Sequence, residues 1–269
     1  MTAVLRREPQ SSHELKLARA LQHVDSLDAK VREWRAHHPY DYVMEIDRES
    51  NEKLVKIRLI EPPPAEFRLI IGDCLHNLRS ALDNLVYELA LAHMGIDPLP
   101  ERRARVLEFP IFGDRAMDER ECRNKIGCIH PDAQAAIKQL QPYNREDEFV
   151  SDPLWVLQQL SNMDKHRVPH ITLLAVSTYV DSPSTPSLPG RLNIHFGPFE
   201  DGAKIASYTP ATGEFDPKVH MDPLLIFGIA FGQRSAAPGE NCSLTLRWLH
   251  GHITNVVRQD LLPFLSRHP

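Results

Sequence analysis

Glycine is thinly spread in this chain, with 12 in 269 residues, and no glycine-built signature is present. There is neither a Gly-x-x-x-x-Gly-Lys loop to cradle phosphates nor a Gly-x-Ser-x-Gly elbow to expose a nucleophilic serine. His-Glu-x-x-His is missing as well, which removes the commonest helical zinc-protease arrangement. Cysteine is limited to four, too few for a disulfide framework in a chain this long. No uncharged apolar run approaches the ~20 residues needed to span a bilayer. The longest, Leu224 to Phe231, suits a buried strand. The first ten residues carry charge and no apolar core, so no signal peptide is expected and the cytoplasm is the default location. Thirty-one Lys and Arg against 36 Asp and Glu leave a net charge of -5, which opposes general DNA binding.

What is present is an ordinary globular composition, 42% hydrophobic and 25% charged. A helical period in Leu15, Ala18, Leu21, Val24, Leu27 and Val31 predicts a first helix from the Ser11–Ser12 cap to about Ala36. Alternation at Tyr42, Met44, Ile46 and at Val55, Ile57, Leu59 predicts a β-hairpin. Pro62-Pro63-Pro64 then introduces a long helix, 65–94, and Gly95 closes it. An apolar stretch (Leu107, Phe109, Ile111, Phe112) interrupts an irregular region. Helices are expected near 116–125, from Pro131 to Leu140, and from Pro153 to about Lys165. After Pro169 the pattern changes to strands at 171–180, 191–196, 203–208 and 224–231, with Ser182 to Gly190 as the best hinge. A last helix spans about 243–262. The expected class is α+β: a single domain over 1–269, divisible into a mainly helical 1–169 and a mainly β 170–269 closed by the terminal helix.

The long helix carries the most unusual chemistry. At 100° per residue, Ile71, Cys74, Leu75, Leu78, Leu82, Leu85, Val86 and Leu89 share one arc. The other arc holds Asp73, His76, Asn77, Ser80, Asp83, Asn84 and Tyr87, with Arg79 at its margin. Solvated helix faces are usually built from Lys and Glu, and this one has neither between Asp73 and Tyr87. Asp, Asn, Ser and His form helices poorly, so the face has another use: an internal hydrogen-bond network or a site. Spacings of i,i+3 and i,i+4 let His76 meet Arg79 and Arg79 meet Asp83.

A second polar cluster ends the helix at 153–165. Val156, Leu157, Leu160 and Met163 mark its buried side, and Asp164 projects the same way. A carboxylate there needs a cation or several donors. Arg79 is the expected partner across the helix pair and Arg167 the local alternative, while a helix-end anchor is the bland reading. Asn162 and His166 stand on a different stripe with Trp155 and Gln159. Cys122-x5-Cys128-x-His130 has no usual zinc spacing and no fourth ligand in view. No cofactor or metal is expected.

Gly72-Asp73-Cys74-Leu75-His76-Asn77-Leu78-Arg79-Ser80-Ala81-Leu82-Asp83 and Leu160-Ser161-Asn162-Met163-Asp164-Lys165-His166-Arg167 resemble a widespread group of bacterial proteins. Those share an Arg- and Asp-bearing helix followed by an Asn-x-Asp-Lys-His-Arg helix end. The resemblance spans roughly residues 60–170 and implies a shared fold more than an activity. More distantly the helical half is similar to the HEPN superfamily, whose helical pairs often dimerise and cut RNA without metal. That family's motif is an Arg and a polar residue with a His about four to six residues beyond the Arg, whereas no His follows Arg79 at that spacing. Under the HEPN resemblance His76 or His166 would move protons, Arg79 would stabilise the charge on phosphorus, and Asp83, Asn162 and Asp164 would complete the set. Two functions therefore stand side by side: a non-catalytic interaction or scaffold protein, expected to be a homodimer, and a metal-independent ribonuclease or toxin-type effector acting on RNA.

Overall fold

The computed structural model describes residues 11–50, 52–113, 119–166, 171–179, 190–195, 197–211 and 224–265. The hinge expected at 182–190 falls almost wholly outside these residues, as do Arg167 and the first residues of the helix expected from 116. The fold is α+β. Helix α1 (Ser12–Ala36) leads into the hairpin β1 (Tyr40–Asp47) and β2 (Glu52–Leu59), then the long helix α2 (Ala65–Met94). Helices α3 (Glu101–Ala104), α4 (Glu119–Ile126), α5 (Pro131–Gln139) and α6 (Pro153–His166) follow, with a 3-10 stretch at Pro142–Ser151. Strands β3 (Ile171–Tyr179), β4 (Gly190–Ile194), β5 (Pro198–Phe199), β6 (Lys204–Pro210) and β7 (Leu224–Phe231) precede α7 (Cys242–Asn255). The helix expected to end at 262 changes pitch instead, continuing as a wider turn over Val256–Leu261 and closing at Pro263.

The chain forms two compact units. One draws on Met1–Ser26, Leu69–Pro169 and Leu244–Pro269, the other on Leu27–Arg68 and His170–Ser243. In the strand-bearing unit, the antiparallel order β1-β2-β6-β4 makes one sheet and β5-β3-β7 a second. The early hairpin therefore pairs with a strand about 150 residues later, Val55 standing opposite Ala206. Alternation decides the faces: Val55 and Ile57 are fully buried, while Lys56 and Arg58 pair outward with Glu45 at 2.5 Å and Asp41 at 2.8 Å. An aromatic edge joins the two sheets, with Tyr40 at 4.9 Å from the Phe227 ring, and Phe199 packs on the same ring at 5.9 Å from within its own sheet.

The helical unit is organised on α2. Its predicted apolar arc is buried along the whole length from Ile71 to Leu89. Cys74 sits in that arc as a small hydrophobe: burial pushes its thiol up to about 12, so it stays protonated and donates weakly to the Ala20 carbonyl. The start of α1 is tied to α2 by the buried His13, whose Nδ1 lies 2.7 Å from Glu88 Oε2, and by the Asn84 amide donating to Ser12 Oγ. Among the described residues no helix is long and apolar enough to cross a membrane.

Residues 107–113, the apolar stretch of the irregular region, run against this core with Phe109 fully buried. They pair with no strand, so their peptide groups need other partners. Gln141, itself 1% exposed, supplies some of them: Nε2 donates to the Pro110 carbonyl at 2.9 Å and Oε1 accepts the Phe112 N–H at 3.0 Å. An isosteric apolar side chain would leave both peptide groups buried and unpaired. Gln141→Leu is expected to cost about 2–4 kcal/mol in urea denaturation, and Gln141→Glu less than that.

Candidate functional site

Arg79 does not face solvent. Its side chain is 7% exposed, and one nitrogen, Nη2, donates to Glu108 Oε1 and to the Phe109 carbonyl at 2.6 Å each. Asp83, one turn on, lies 3.3 Å from the same nitrogen and accepts the Phe109 N–H at 2.9 Å. Arg79 and Asp83 thus bond both peptide groups of Phe109, as a neighbouring strand would. Glu108 is drawn in further by Lys125 at 3.3 Å. Arg79 Nη1 is buried with no hydrogen-bond partner, a cost that the charged contacts on Nη2 must outweigh.

Charge follows this geometry. Burial pushes the Glu108 carboxyl up, but the Arg79 and Lys125 cations outweigh it and hold Glu108 below the usual carboxylate range. For Asp83 the balance is reversed. Burial raises its carboxyl more than Arg79 and the Phe109 N–H lower it, so the close ion pair does not make Asp83 a stronger acid. We read that as burial of a carboxylate beside Glu108, a like charge, and not as evidence against the pair.

Asp164 does not meet Arg79, correcting the expected pairing. It lies against Gly72, where an added Cβ would fall onto its carboxylate. Gly72 is seven residues before Arg79 on the same helix, about 10 Å along its axis. The lack of a side chain at Gly72 is what lets α6 bring Asp164 so close. Among the described residues the titratable groups that act on it are Asp73 and His76. Burial raises the Asp164 carboxyl, Asp73 raises it further, and His76 pulls it down.

The remaining residues separate. His76 is exposed and lies 3.4 Å from Ser80 Oγ, one turn along. Asn77 bonds back to the Asp73 carbonyl at 2.7 Å, and Asn162 accepts from Gln158 on its own helix at 3.4 Å. The His166 backbone closes α6, and its side chain lies outside the described residues. The structure therefore brings Arg79 together with Asp83 and seats Asp164 against Gly72, at a different level of α2. Reading by spacing missed Glu108, Gln141 and Gly72. Gln141 follows the end of the helix expected from Pro131 to Leu140, and Gly72 stands only within the motif 72–83. His130 caps α5 through Nδ1, and no group of three potential ligands that could hold a metal occurs among the described residues. No protein-family model matches this chain, and comparison with curated proteins and with solved structures finds no match either.

A Gly72→Ala change tests the Asp164 contact. In an ordinary helix alanine would add about 1 kcal/mol, but here it is expected to lower stability. In an Asp164→Ala background the same change should become stabilising, a coupling of about 1–3 kcal/mol in a denaturation cycle. Additive effects would mean that the close approach carries no strain.

Proposed function

We propose that this chain is a non-catalytic interaction or scaffold protein that assembles as a homodimer, with the Arg79–Asp83–Glu108 network as its internal fastening. The observation that supports this is the commitment of Arg79. A phosphate-stabilising arginine has to present free donors where charge develops on the substrate. Here the bonding nitrogen is taken up by a carboxylate and a peptide carbonyl, and the other is buried. The exposed His76 of α2 lies beside Ser80, and among the described residues no hydrogen bond joins it to Arg79. The kinship to HEPN-type helical pairs belongs to this proposal as a shared way of pairing helices, not as shared chemistry. All four cysteines are free thiols, which suits a reducing cytoplasm.

The test is incubation of the purified protein with mixed RNAs in EDTA, beside Arg79→Ala and His76→Ala. No cleavage above a protein-free control is expected from any of the three. Arg79→Ala should instead lose about 1–3 kcal/mol of stability, because the buried Phe109 carbonyl loses its donor while Glu108 keeps Lys125. His76→Ala should stay within about 0.5 kcal/mol of the parent. Metal-independent cleavage by the parent that vanishes in His76→Ala would overturn the proposal.

A further inference from the structure

Of the three tryptophans, Trp34 is 3% exposed and Trp155 packs on Phe149 with ring centroids 5.6 Å apart, whereas Trp248 on α7 is 46% exposed. One turn before it, Leu244 is 64% exposed. Gly251 and Asn255 continue the same line, also exposed, at i+3 and i+7 from Trp248. The four residues thus repeat at the spacing of a helix–helix seam, over about 18 Å of helix. Isolated exposed apolar side chains are ordinary on protein surfaces. A tryptophan, a leucine and a mid-helix glycine on one stripe are a different matter.

Gly251 has no function within the chain that the structure displays. An added Cβ there would meet no atom within 4 Å, and its backbone is not in the left-handed region. Glycine is nevertheless among the poorest residues for a helix interior. A bare backbone one turn from an exposed indole leaves a notch beside a knob. The seam itself carries no charge. Arg247 on its flank is neutralised by Asp25 of α1 at 2.8 Å, and α1 adds Leu21, 37% exposed, to the apolar border.

We propose that this stripe is the face on which two copies of the chain pair, α7 running antiparallel to α7 about a twofold axis between Trp248 and Gly251. This rests on the interaction-protein reading above and names its partner as a second copy. In that register each indole seats on the partner's Gly251, and both seats fill at once. Such self-complementarity is what an isologous contact requires of a surface. The four seam residues are uncharged, so a second copy meets no like charge from them. The extent of the patch sets the strength. A seam of about 18 Å with one flanking leucine falls well short of the ~1,600 Å² of a standard stable interface, so the dimer is weak and reversible.

Sedimentation velocity of the full chain from about 5 to 500 μM, a range that reaches weak association, tests it. The weight-average mass is expected to climb from 30.7 kDa toward twice that value. Gly251→Leu fills the notch in open space, so it should hold the monomer mass throughout while its Tm stays level or rises. Trp248→Ser should likewise stay monomeric. A parent that remains at the monomer mass over the whole range, or a Gly251→Leu variant that associates as the parent does, would overturn the seam. Either result leaves the non-catalytic reading standing, and RNA cleavage in EDTA would end that reading without moving the mass.

Discussion

A guanidinium buried in a helical core must be surrounded by acceptors, and that requirement organises the helical unit. Arg79 reaches its partners only if residues 107–113 come to α2, because Glu108 and the Phe109 carbonyl are carried there. Asp83 completes the arrangement by accepting the N–H of the same residue. Gln141 secures the other end of the segment through Pro110 and Phe112. An apolar run without a strand partner is thereby buried with peptide groups bonded to side chains. Removing the Arg79 cation would leave the Phe109 carbonyl without its donor and Glu108 with Lys125 alone, so the network is held as a unit.

The same physics separates the two polar clusters of α2. Asp83 and Glu108 share a cation, yet their carboxyls shift in opposite directions because Glu108 has Lys125 as well and is less enclosed. Among the described residues no lysine or arginine pairs with Asp164. It stands beside Asp73 and His76 at a place where only glycine admits it. One helix thus carries the Arg79–Asp83 pair and, two turns earlier, the glycine against which the Asp164 carboxylate lies.

Much of the fold could be read from the residues in order. The proline triplet and Gly95 bound α2 at Ala65 and Met94, since each acts on backbone torsions within a residue or two of itself. Helix α1 and strand β7 also lie where periodicity and apolar runs put them. The pairing of β2 with β6 was not legible, because alternation tells which face is buried and not which distant strand lies alongside. The polar face of α2 was recognisable from its lack of Lys and Glu, and its i,i+4 pair was correct. Its long-range partners were hidden for a plain reason. Glu108 lies in a stretch without period, and the approach of Asp164 depends on an absent side chain at Gly72, which leaves no mark in a hydrophobic pattern.

The central claim is that Arg79 and Asp83 together serve as the strand edge for residues 107–113. Native-state hydrogen exchange at single amides addresses it most directly. The Phe109 amide should be protected in the parent to a degree similar to the buried turns of α2. In Asp83→Ala it should lose most of that protection, while Phe112, bonded to Gln141, keeps more of its own. A Phe109 amide that exchanges freely in the parent, or that is equally protected without Asp83, would contradict the account.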